Sequence, residues 1–404
     1  MSVDGPASQP EGVNLYEQIV ARSGKAHRLL TAHWELTYRC NERCTHCYLD
    51  VFSPNANVPG ELTTKECFQV IDQLAEIGAL NLTLSGGEIL VRRDFFDIAE
   101  YAHAKRFLLR FFTNGILIKP ALADRIAALY PYAVEMSVYS SRAEVHDAIT
   151  RVPRSLELTT RAFRLLRERG IRTVMKTPLM RENARELPAL RALAQELGAR
   201  FKYDLTITPK DTGGMDPLKH RLAFDDLVSV FREEIEPAYW ANRTVTPEYR
   251  TCGISTKSLA IDPYGNVYPC LQVRSVAGNV RAQSVREIWE SAPLWKELGN
   301  LTLGELPVCR TCELRSLCVR CHGLAQMENG NLRAPALVNC QEALARRQVL
   351  VEKGTLPADY PIPAHLREFA EQIASVPHEG GELLPTNFVP LSNLTMRSTR
   401  ADAA

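Results

Sequence analysis

Short apolar runs alternate with amphipathic helical patterns over the first 236 residues of the chain. The six apolar runs, which we interpret as strands, are residues 33–38, 80–85, 108–113, 133–139, 173–179 and 201–207. The helical patterns are residues 63–78, 94–105, 121–129, 156–168, 187–197 and 224–235. Repeats of a strand followed by a helix predict parallel strands joined by right-handed crossovers. The sequence therefore predicts an α/β fold, a partial (β/α)6 TIM-like barrel over residues 30–236.

The rest of the chain divides into four further parts. They are an N-terminal extension (residues 1–29), a linker (237–251), a small cysteine-rich domain (252–345) and a C-terminal region (346–404). Further helical patterns lie at residues 14–30, expected at the base of the barrel, and at residues 342–352 and 364–375. From residue 377 onward the polar composition, with Pro, Gly and Ser, predicts a flexible tail.

Composition places the chain among ordinary globular proteins. Its 404 residues suffice for two domains, and 45% hydrophobic with 24% charged residues is typical of such proteins. A formal net charge of +1 gives no general attraction to nucleic acid, and the longest apolar stretches are too short to span a bilayer. The first ten residues lack a secretory signal pattern. In a chain without such a signal, eleven cysteines favour metal or cluster binding in a reducing cytoplasm. From the charge and the short apolar stretches we expect no nucleic-acid or membrane partner.

Three cysteines follow the first predicted strand directly. Cys40, Cys44 and Cys47 have x3 and x2 spacing, which suits three corners of an iron–sulfur cube and leaves the fourth iron open. Structural zinc sites instead favour two separated Cys-x2-4-Cys pairs, and disulfides need an oxidising compartment. The loop resembles the signature of the radical S-adenosylmethionine (radical SAM) superfamily. That resemblance implies a [4Fe–4S] cluster whose open iron binds S-adenosylmethionine, with His46 in place of the usual aromatic residue beside adenine.

The segment Gly86-Gly87-Glu88 follows the second predicted strand. In a barrel of this type, chemistry collects at the carboxyl ends of the strands. The segment resembles the Gly-Gly-Glu motif of the family. The resemblance implies that the two glycines let the backbone approach the methionine amino group of the cofactor, and that Glu88 accepts a charge-assisted hydrogen bond from it.

Three more candidate residues end the third and fourth predicted strands. Asn114 forms either a simple turn or part of the cofactor site. By the resemblance, Ser137 and Tyr139 hold the ribose or the methionine carboxylate. Lys176, on the fifth strand, either pairs with that carboxylate or is solvated, and Cys67 is expected to be a small buried side chain.

Residues 143–155 also resemble a segment of radical SAM enzymes that modify peptides. The resemblance lies in the pair His146-Asp147, which glycines usually follow, whereas this chain has Arg151 and Arg154 there. Residues 142–176 carry more basic than acidic side chains. The excess indicates either a solvated helix face or an edge that attracts an acidic peptide.

A second group of cysteines occupies the C-terminal part of the chain. Its members are Cys252, Cys270, Cys309, Cys312, Cys318, Cys321 and Cys340. The order resembles the SPASM domain, which binds auxiliary iron–sulfur clusters in many radical SAM enzymes, although the gap before Cys321 is one residue shorter than usual. Two Cys-x2-Cys pairs would also suit a zinc ribbon, but seven thiolates exceed one zinc site.

The SPASM resemblance implies two auxiliary [4Fe–4S] clusters. The distal cluster would be fully ligated by Cys309, Cys312, Cys318 and Cys340. The cluster nearer the barrel would have Cys252, Cys270 and Cys321, and residues 245–250 contain no fourth cysteine. We therefore expect an open iron on the nearer cluster.

Together the motifs imply a radical SAM enzyme, an oxidoreductase that generates a 5′-deoxyadenosyl radical to modify a ribosomally synthesised peptide. The modification would be a cross-link, a thioether, an epimerisation or a related oxidation. Implied partners are a peptide or protein substrate, a reducing electron donor such as flavodoxin or ferredoxin, and in some relatives a separate peptide-recognition protein.

Three alternatives stay open at the level of sequence. One is a sulfatase-maturing, formylglycine-forming activase, although the run Tyr139-Ser140-Ser141 lacks the aspartate typical of those enzymes. The second is an enzyme that modifies tetrapyrrole side chains. The third is a non-enzymatic iron–sulfur electron carrier, which would have no need of an open iron. The sequence assigns no catalytic residue for quenching the product radical.

Overall fold

A computed structural model of the protein describes residues 15–367 and residue 370. Within them the strands are β1 (Thr31–Glu35), β2 (Asn81–Ser85), β3 (Leu108–Thr113), β4 (Ala133–Ser137), β5 (Thr173–Pro178), β6 (Arg200–Asp204), β7 (Ser258–Ile261), β8 (Asn266–Tyr268) and β9 (Gly278–Asn279). They form one sheet in the order β6-β5-β4-β3-β2-β1-β7-β8-β9. Strands β1 to β6 are all parallel to their neighbours, so the predicted six-unit α/β barrel is confirmed.

Helices cover the strands and connect them. In the described residues they are α1 (Leu15–Lys25), α2 (Thr64–Glu76), α3 (Phe95–Ala104), α4 (Pro120–Ala128), α5 (Ala143–Thr150), α6 (Ser155–Glu168), α7 (Leu187–Leu197), α8 (Phe224–Glu234), α9 (Pro237–Ala241), α10 (Val285–Ser291), α11 (Pro293–Gly299), α12 (His322–Asn329) and α13 (Leu337–Glu352). No helix in this part of the chain combines the length and the apolar character needed to cross a lipid bilayer.

Helix α2 illustrates how local sequence specifies these elements. Thr63 accepts a hydrogen bond from the Glu66 amide, and the Glu66 carboxylate accepts one from the Thr63 amide, which is a capping box. Val70, Ile71 and Leu74 then fall on one face and are buried against the sheet. Burial of this face against the strands fixes the helix on the outside of the barrel.

Several predicted boundaries were wrong. The first strand begins at Thr31 and ends at Glu35, because the chain leaves the ladder to form the cysteine loop. The fourth strand ends at Ser137, so Tyr139 lies in the following loop. Helix α13 begins at Leu337, five residues before the predicted start at 342. Of the predicted helix at 364–375, the structure shows a 3-10 turn at Ala364–Leu366, and the predicted tail from 377 lies outside the described residues.

The N-terminal helix lies where it was expected but packs loosely. Tyr16 accepts a hydrogen bond from Asn81, the first residue of β2, which places α1 at the base of the barrel. However, α1 contributes no buried residue, and Leu15 and Ile19 are 67% and 40% exposed. The predicted apolar face of this helix is therefore largely uncovered.

The sheet continues beyond the barrel into the cysteine-rich region. Strand β7 pairs in parallel with β1, in register from Thr31 opposite Ser258 to Trp34 opposite Ile261. Strands β8 and β9 extend this edge in antiparallel fashion. The strand that leads into the first three cysteines is thus hydrogen-bonded on one side to the region that carries the seven C-terminal cysteines.

Candidate active site at the carboxyl edge of the sheet

The loop from Cys40 to Cys47 is held by backbone hydrogen bonds at its base and in its middle. The Cys40 amide donates to the Phe52 carbonyl (2.9 Å), and the Phe52 amide donates to the Tyr38 carbonyl (2.9 Å), which closes the loop at its base. In the middle of the loop, the Thr45 amide donates to the carbonyl of Ile149, at the end of α5 (3.0 Å). The three thiols are therefore presented by a fixed loop above the end of β1.

Burial and mutual repulsion make these thiols poor acids in the absence of a metal. Burial raises the pKa of Cys40 to about 12 and that of Cys47 to about 11. It raises the pKa of Cys44 well above its ordinary value, and the Cys47 and Cys40 thiols add to that rise. Coordinated iron would offset the cost of the thiolate form.

The backbone of Gly86 and Gly87 lies against the exit from β1. A methyl group on Gly86 would meet the Thr37 carbonyl oxygen, and one on Gly87 would meet the Arg39 carbonyl oxygen, both at 2.4 Å. Gly86 also has a φ of +136°. Only glycine fits these positions, so the motif brings the β2 loop into direct contact with the chain that leads into the cysteines.

Glu88 is fully buried and ties neighbouring loops together. Its carboxylate accepts hydrogen bonds from the Thr113 hydroxyl (2.7 Å), the Asn114 amide (2.7 Å) and the Leu90 amide (2.9 Å). Burial raises the pKa of Glu88, and these donors act in the opposite direction. A carboxylate oxygen can accept more than one hydrogen bond, so capacity remains for a donor from a bound ligand.

Asn114 connects the end of β3 to the cysteine loop. Its side-chain amide donates to Asn41 Oδ1 (2.7 Å), and its carbonyl accepts from the Thr159 hydroxyl (2.8 Å). The Asn41 amide nitrogen is buried and has no partner among the described residues. Asn114 Oδ1 also accepts from the Ile116 amide (3.2 Å), as in a turn, so Asn114 forms a turn beside the cysteine loop and its role toward the cofactor stays a prediction.

The His46 and Tyr139 rings pack against each other. Their centroids are 4.7 Å apart in an edge-on arrangement, and the Tyr139 hydroxyl lies 3.7 Å from Cys44 Sγ. Burial lowers the pKa of His46 to about 3, so the ring is neutral, and its Nδ1 is buried without a partner in the described chain. Ser137 is the last residue of β4, two residues before Tyr139. The His46 and Tyr139 rings line one side of the cysteine loop.

Lys176 and Cys67 lie outside the cysteine loop. Lys176 points inward, but its ammonium group pairs with Glu135 (3.7 Å) and lies over the Phe112 ring (4.0 Å). Cys67 is completely buried, as expected for a small apolar side chain.

The basic segment 142–176 is partly neutralised. Arg154 pairs with Glu157 and Arg164 with Glu196, both on exposed helix surfaces. Asp147 caps α6, because its carboxylate accepts hydrogen bonds from the Arg154 amide (2.5 Å), the Ser155 hydroxyl (2.9 Å) and the Leu156 amide (3.1 Å). Ion pairs thus cover part of this face, and both interpretations of the segment stay open.

Sequence reasoning missed a buried ion pair that joins the two cysteine regions. Glu35 of β1 is fully buried and accepts hydrogen bonds from Arg274 (3.0 and 3.2 Å) and from the hydroxyls of Tyr38 (3.0 Å) and Tyr48 (2.5 Å). Tyr48 follows Cys47 directly, and Arg274 lies four residues after Cys270. A carboxylate at the end of a strand predicted to be buried was the signal that could have revealed this pair.

Four C-terminal cysteines share one cavity. Cys309, Cys312, Cys318 and Cys340 line it together with Arg315, Arg320 and several apolar side chains. Burial raises the pKa of Cys340 well above its ordinary value, and the thiols of the other three add to the rise. These are the four residues predicted for the distal cluster.

The other three C-terminal cysteines form a separate group. Burial raises the pKa of Cys270 to about 12, and the thiols of Cys321 and Cys252 contribute to the rise. Gly323 makes this approach feasible, because a Cβ there would meet Gln272 Cβ at 2.3 Å. These are the three residues predicted for the cluster nearer the barrel, and the division of the seven cysteines between two clusters stays a prediction.

The described part of the chain contains neither a preformed single-ion site nor a disulfide. In it, no group of three or more His, Cys, Asp or Glu side chains is arranged to hold a metal ion. None of the eleven cysteines, all of which lie in that part, forms a disulfide. Sets of three and four thiols, buried and mutually destabilised, are the ligands that iron–sulfur clusters use.

Comparisons with known proteins give the family. The profile of the Radical SAM superfamily matches residues 34–194, and that of an iron-sulfur cluster-binding domain (SPASM) matches residues 252–313. Over 290 residues the chain is 30% identical to the mycofactocin maturase MftC of Mycobacterium ulcerans, covering 66% of this chain and 75% of the relative. Over 327 residues it is 29% identical to the AdoMet-dependent heme synthase of Methanosarcina barkeri, covering 74% and 92%.

A solved structure supports the same fold. Streptococcus suis SuiB, in its complex with the precursor peptide SuiA, superposes with a TM-score of 0.60 at 15% identity over 84% of each chain. The cysteine loop and the Gly-Gly-Glu contact lie within the region matched by the superfamily profile. The chain therefore belongs to the radical SAM superfamily, as an enzyme that binds a [4Fe–4S] cluster and S-adenosylmethionine in its barrel and auxiliary iron–sulfur clusters in its SPASM domain.

Proposed function

We propose that the protein modifies a ribosomally synthesised peptide by oxidative radical chemistry. The observation that carries this proposal is the pairing of β1 with β7, which holds the radical-generating loop and the auxiliary cysteine groups on one sheet. Forming a cross-link or thioether from a substrate radical requires the loss of one electron and one proton. An auxiliary cluster held rigidly beside the barrel is a suitable acceptor for that electron. The likeness to a peptide maturase supports a peptide as the substrate.

In this proposal Cys40, Cys44 and Cys47 hold the first cluster. When bound there, the cluster and S-adenosylmethionine supply a 5′-deoxyadenosyl radical that removes a hydrogen atom from carbon. The backbone of Gly86 and Gly87 provides close approach to the cofactor, and the carboxylate of Glu88 provides an acceptor for its amino group. Asn114, Ser137, Tyr139 and His46 form the surrounding wall.

The two auxiliary sites follow from the thiol groups. Cys309, Cys312, Cys318 and Cys340 complete the shell of one cluster, and Cys252, Cys270 and Cys321 leave one position on the other without a cysteine. We propose that this position is open to substrate or water. Mössbauer spectra showing four cysteine ligands on both auxiliary clusters would contradict this assignment.

Two buried polar groups between the cysteine regions are suited to orient a peptide. Arg274 Nε and Asp211 Oδ1 are both buried without a partner among the described residues. The Asp211 amide donates to the Tyr48 carbonyl (2.9 Å), which places this residue beside the first cysteine loop. A guanidinium and a carboxylate together match the alternating acceptors and donors of a peptide backbone.

The proposal extends to partners and compartment. Reductive cleavage of S-adenosylmethionine needs an external electron, and we propose a flavodoxin or ferredoxin as its donor. A separate peptide-recognition protein is consistent with the small size of α1. Thiols that remain reduced and bind iron favour the cytoplasm.

A second candidate function is modification of a tetrapyrrole side chain. It is favoured by the likeness to the AdoMet-dependent heme synthase of Methanosarcina barkeri, because the matched region makes up 92% of the length of that enzyme.

The two candidates are separated by incubating the anaerobically reconstituted protein with S-adenosylmethionine and a reductant. A peptide encoded beside the gene is added to one sample and an iron porphyrin to another. Our proposal predicts that 5′-deoxyadenosine forms and that the peptide loses the mass of two hydrogens, while the porphyrin is unchanged. Loss of carbon dioxide from the porphyrin, with an unchanged peptide, would instead establish the second candidate. If 5′-deoxyadenosine formed in neither sample, both candidate functions would be contradicted.

A further inference from the structure

Arg320 is a buried cation between the two auxiliary cysteine groups. In the sequence it stands between Cys318, of the four-cysteine group, and Cys321, of the three-cysteine group. Its side chain is almost fully buried, with 5% of the residue exposed, and it lines the cavity that holds the four thiols. Arg320 therefore lies between the two groups of cysteines.

The guanidinium group is held by neutral partners. Nη2 donates to the carbonyls of Leu332 and Ala334, and Nη1 donates to Nδ1 of His322 (2.5 Å). A guanidinium can only donate, so this Nδ1 accepts and carries no proton, which leaves the His322 ring neutral. In the described part of the chain no carboxylate pairs with Arg320, and its Nε is buried without a partner. A full positive charge thus remains uncompensated beside the cysteines.

The charge lies beside both groups. Arg320 lines the cavity of the four thiols and directly precedes Cys321 of the other group. Its partner His322 lies 3.0 Å, from Nε2 to the hydroxyl oxygen, from Thr251, the residue before Cys252. A second buried arginine nearby, Arg346, differs because it is paired with Glu342 (2.9 Å). Within the described residues, Arg320 is therefore the unpaired cation shared by the two groups.

We propose that Arg320 sets the reduction potentials of the auxiliary clusters by stabilising their reduced states. Thiolate-ligated clusters are anions, and one-electron reduction adds another negative charge. A nearby cation in a poorly hydrated site stabilises the more negative state more strongly. Arg320 consequently raises the potential at which these clusters accept an electron. This assignment depends on cluster binding but not on the identity of the substrate.

The test is a redox titration of the reconstituted full-length protein, monitored by electron paramagnetic resonance. We expect Arg320→Met to lower the equilibrium constant for reduction of at least one auxiliary cluster tenfold or more. A tenfold fall corresponds to a shift of about 59 mV to more negative potential for one electron. The cluster of the barrel loop is an internal reference and should not shift. Arg315→Met is the matched control, because Arg315 lines the same cavity but is exposed to solvent.

Arg320→Lys separates charge from hydrogen bonding, because lysine keeps the charge but lacks the planar fork that binds two carbonyls. We expect it to retain both auxiliary clusters and their potentials. If Arg320→Met loses the clusters while Arg320→Lys retains them with normal potentials, the charge is still shown to be required. The proposal is overturned if Arg320→Met retains unchanged potentials, if both variants shift equally, or if both lose the clusters.

Discussion

At the scale of single residues, the site depends on a few polar groups buried in apolar surroundings. Glu35 and Arg274 form one of the most enclosed of these contacts, since Glu35 is fully buried and the Arg274 side chain is 14% exposed. Burial lowers the pKa of Arg274, but Glu35 outweighs this effect and the net pKa is raised. Arg274 therefore remains charged, and each partner depends on the other for compensation.

Removing one partner of this pair should be costly. We expect Arg274→Met to reduce the free energy of unfolding by about 3–5 kcal/mol, because it leaves the Glu35 carboxylate buried without its cation. The measurement is urea denaturation of the reconstituted protein. Arg286→Met is the control, since Arg286 and Glu290 are both more than half exposed, and it should change the free energy by less than about 0.5 kcal/mol. If Arg274→Met and Arg286→Met changed the free energy of unfolding equally, the stabilising role of the Glu35–Arg274 pair would be contradicted.

The glycine contact can be tested in the same way. Gly87→Ala should destabilise the protein by about 1–3 kcal/mol and weaken binding of S-adenosylmethionine, because the new Cβ meets the backbone of Arg39 and Cys40 Cβ. Gly24→Ala is a matched control, since its nearest neighbours would be 3.7 Å away. Binding is followed by equilibrium dialysis, and unfolding by circular dichroism. Wild-type affinity and stability in Gly87→Ala would contradict the proposed close approach.

Glu88 shows what sequence reasoning can and cannot supply for a residue. The motif and its place after β2 were sufficient to select Glu88 as a site residue. The sequence could not show that its carboxylate also binds Thr113 and Asn114, because those contacts depend on how β2 and β3 align in the sheet. Arg320 was missed for a similar reason, since nothing local indicates that its charge lacks a partner.

At the scale of elements, α5 and α6 show how helix ends shape the site. Helix α5 supports the cysteine loop, yet no helix was predicted there. Arg151 and Arg154, at positions where glycines were expected, adopt left-handed conformations with φ of 59° and 64°. The left-handed conformation costs a non-glycine residue about 1–2 kcal/mol, which explains why glycine is preferred at these two positions.

The cap formed by Asp147 should offset part of that cost. Burial raises the pKa of Asp147, but hydrogen bonds from Leu156, Ser155 and Arg154 outweigh it and hold the pKa below its ordinary value. The stabilisation is therefore present above the unfolded-state pKa and is lost as pH falls through the folded-state pKa. We expect Asp147→Ala to destabilise by about 1–2 kcal/mol near pH 7.

The pH dependence provides the check. The difference in unfolding free energy between wild type and Asp147→Ala should shrink as the pH is lowered below about 4. Glu100→Ala, which removes an exposed ion pair with Arg125, should have little effect at any pH. A difference for Asp147→Ala that stays constant across this range would contradict an ionised cap.

Elements with strong local patterns were predicted well, and those defined by distant pairing were not. The apolar run 108–113 corresponds to β3 without any shift, and α7 has the predicted bounds. Strand β7 is only four residues long and is recognised by its pairing with β1, which lies far away in the sequence. No local periodicity can reveal such a contact, so the continuity of the sheet emerged only from the structure.

At the scale of the whole molecule, this continuity joins the barrel to the SPASM region. A linker at 237–251 and a separate domain after it were expected from the sequence, and those boundaries remain predictions. The structure shows β1 in the interior of a nine-stranded sheet, with β2 on one side and β7 on the other. Helix α13 also packs back onto α8 of the barrel, where Arg232 pairs with Glu352 (2.8 Å).

Truncation after residue 250 tests whether the barrel is independent. We expect the shortened protein to lose cooperative unfolding and to aggregate, because β1 becomes an exposed edge strand and α8 loses the cover of α13. The measurements are thermal denaturation and limited proteolysis beside the full-length chain. A monomeric fragment with a sharp, reversible transition would instead show that the barrel folds alone.

The central claim is that Cys40, Cys44 and Cys47 hold an iron–sulfur cluster whose open position takes S-adenosylmethionine. Its most direct test is the electron paramagnetic resonance spectrum of the reduced protein, recorded with and without the cofactor. The account predicts that S-adenosylmethionine changes the wild-type spectrum and has no effect when all three cysteines are replaced by alanine. An unchanged wild-type spectrum, or the same change in the triple variant, would contradict it.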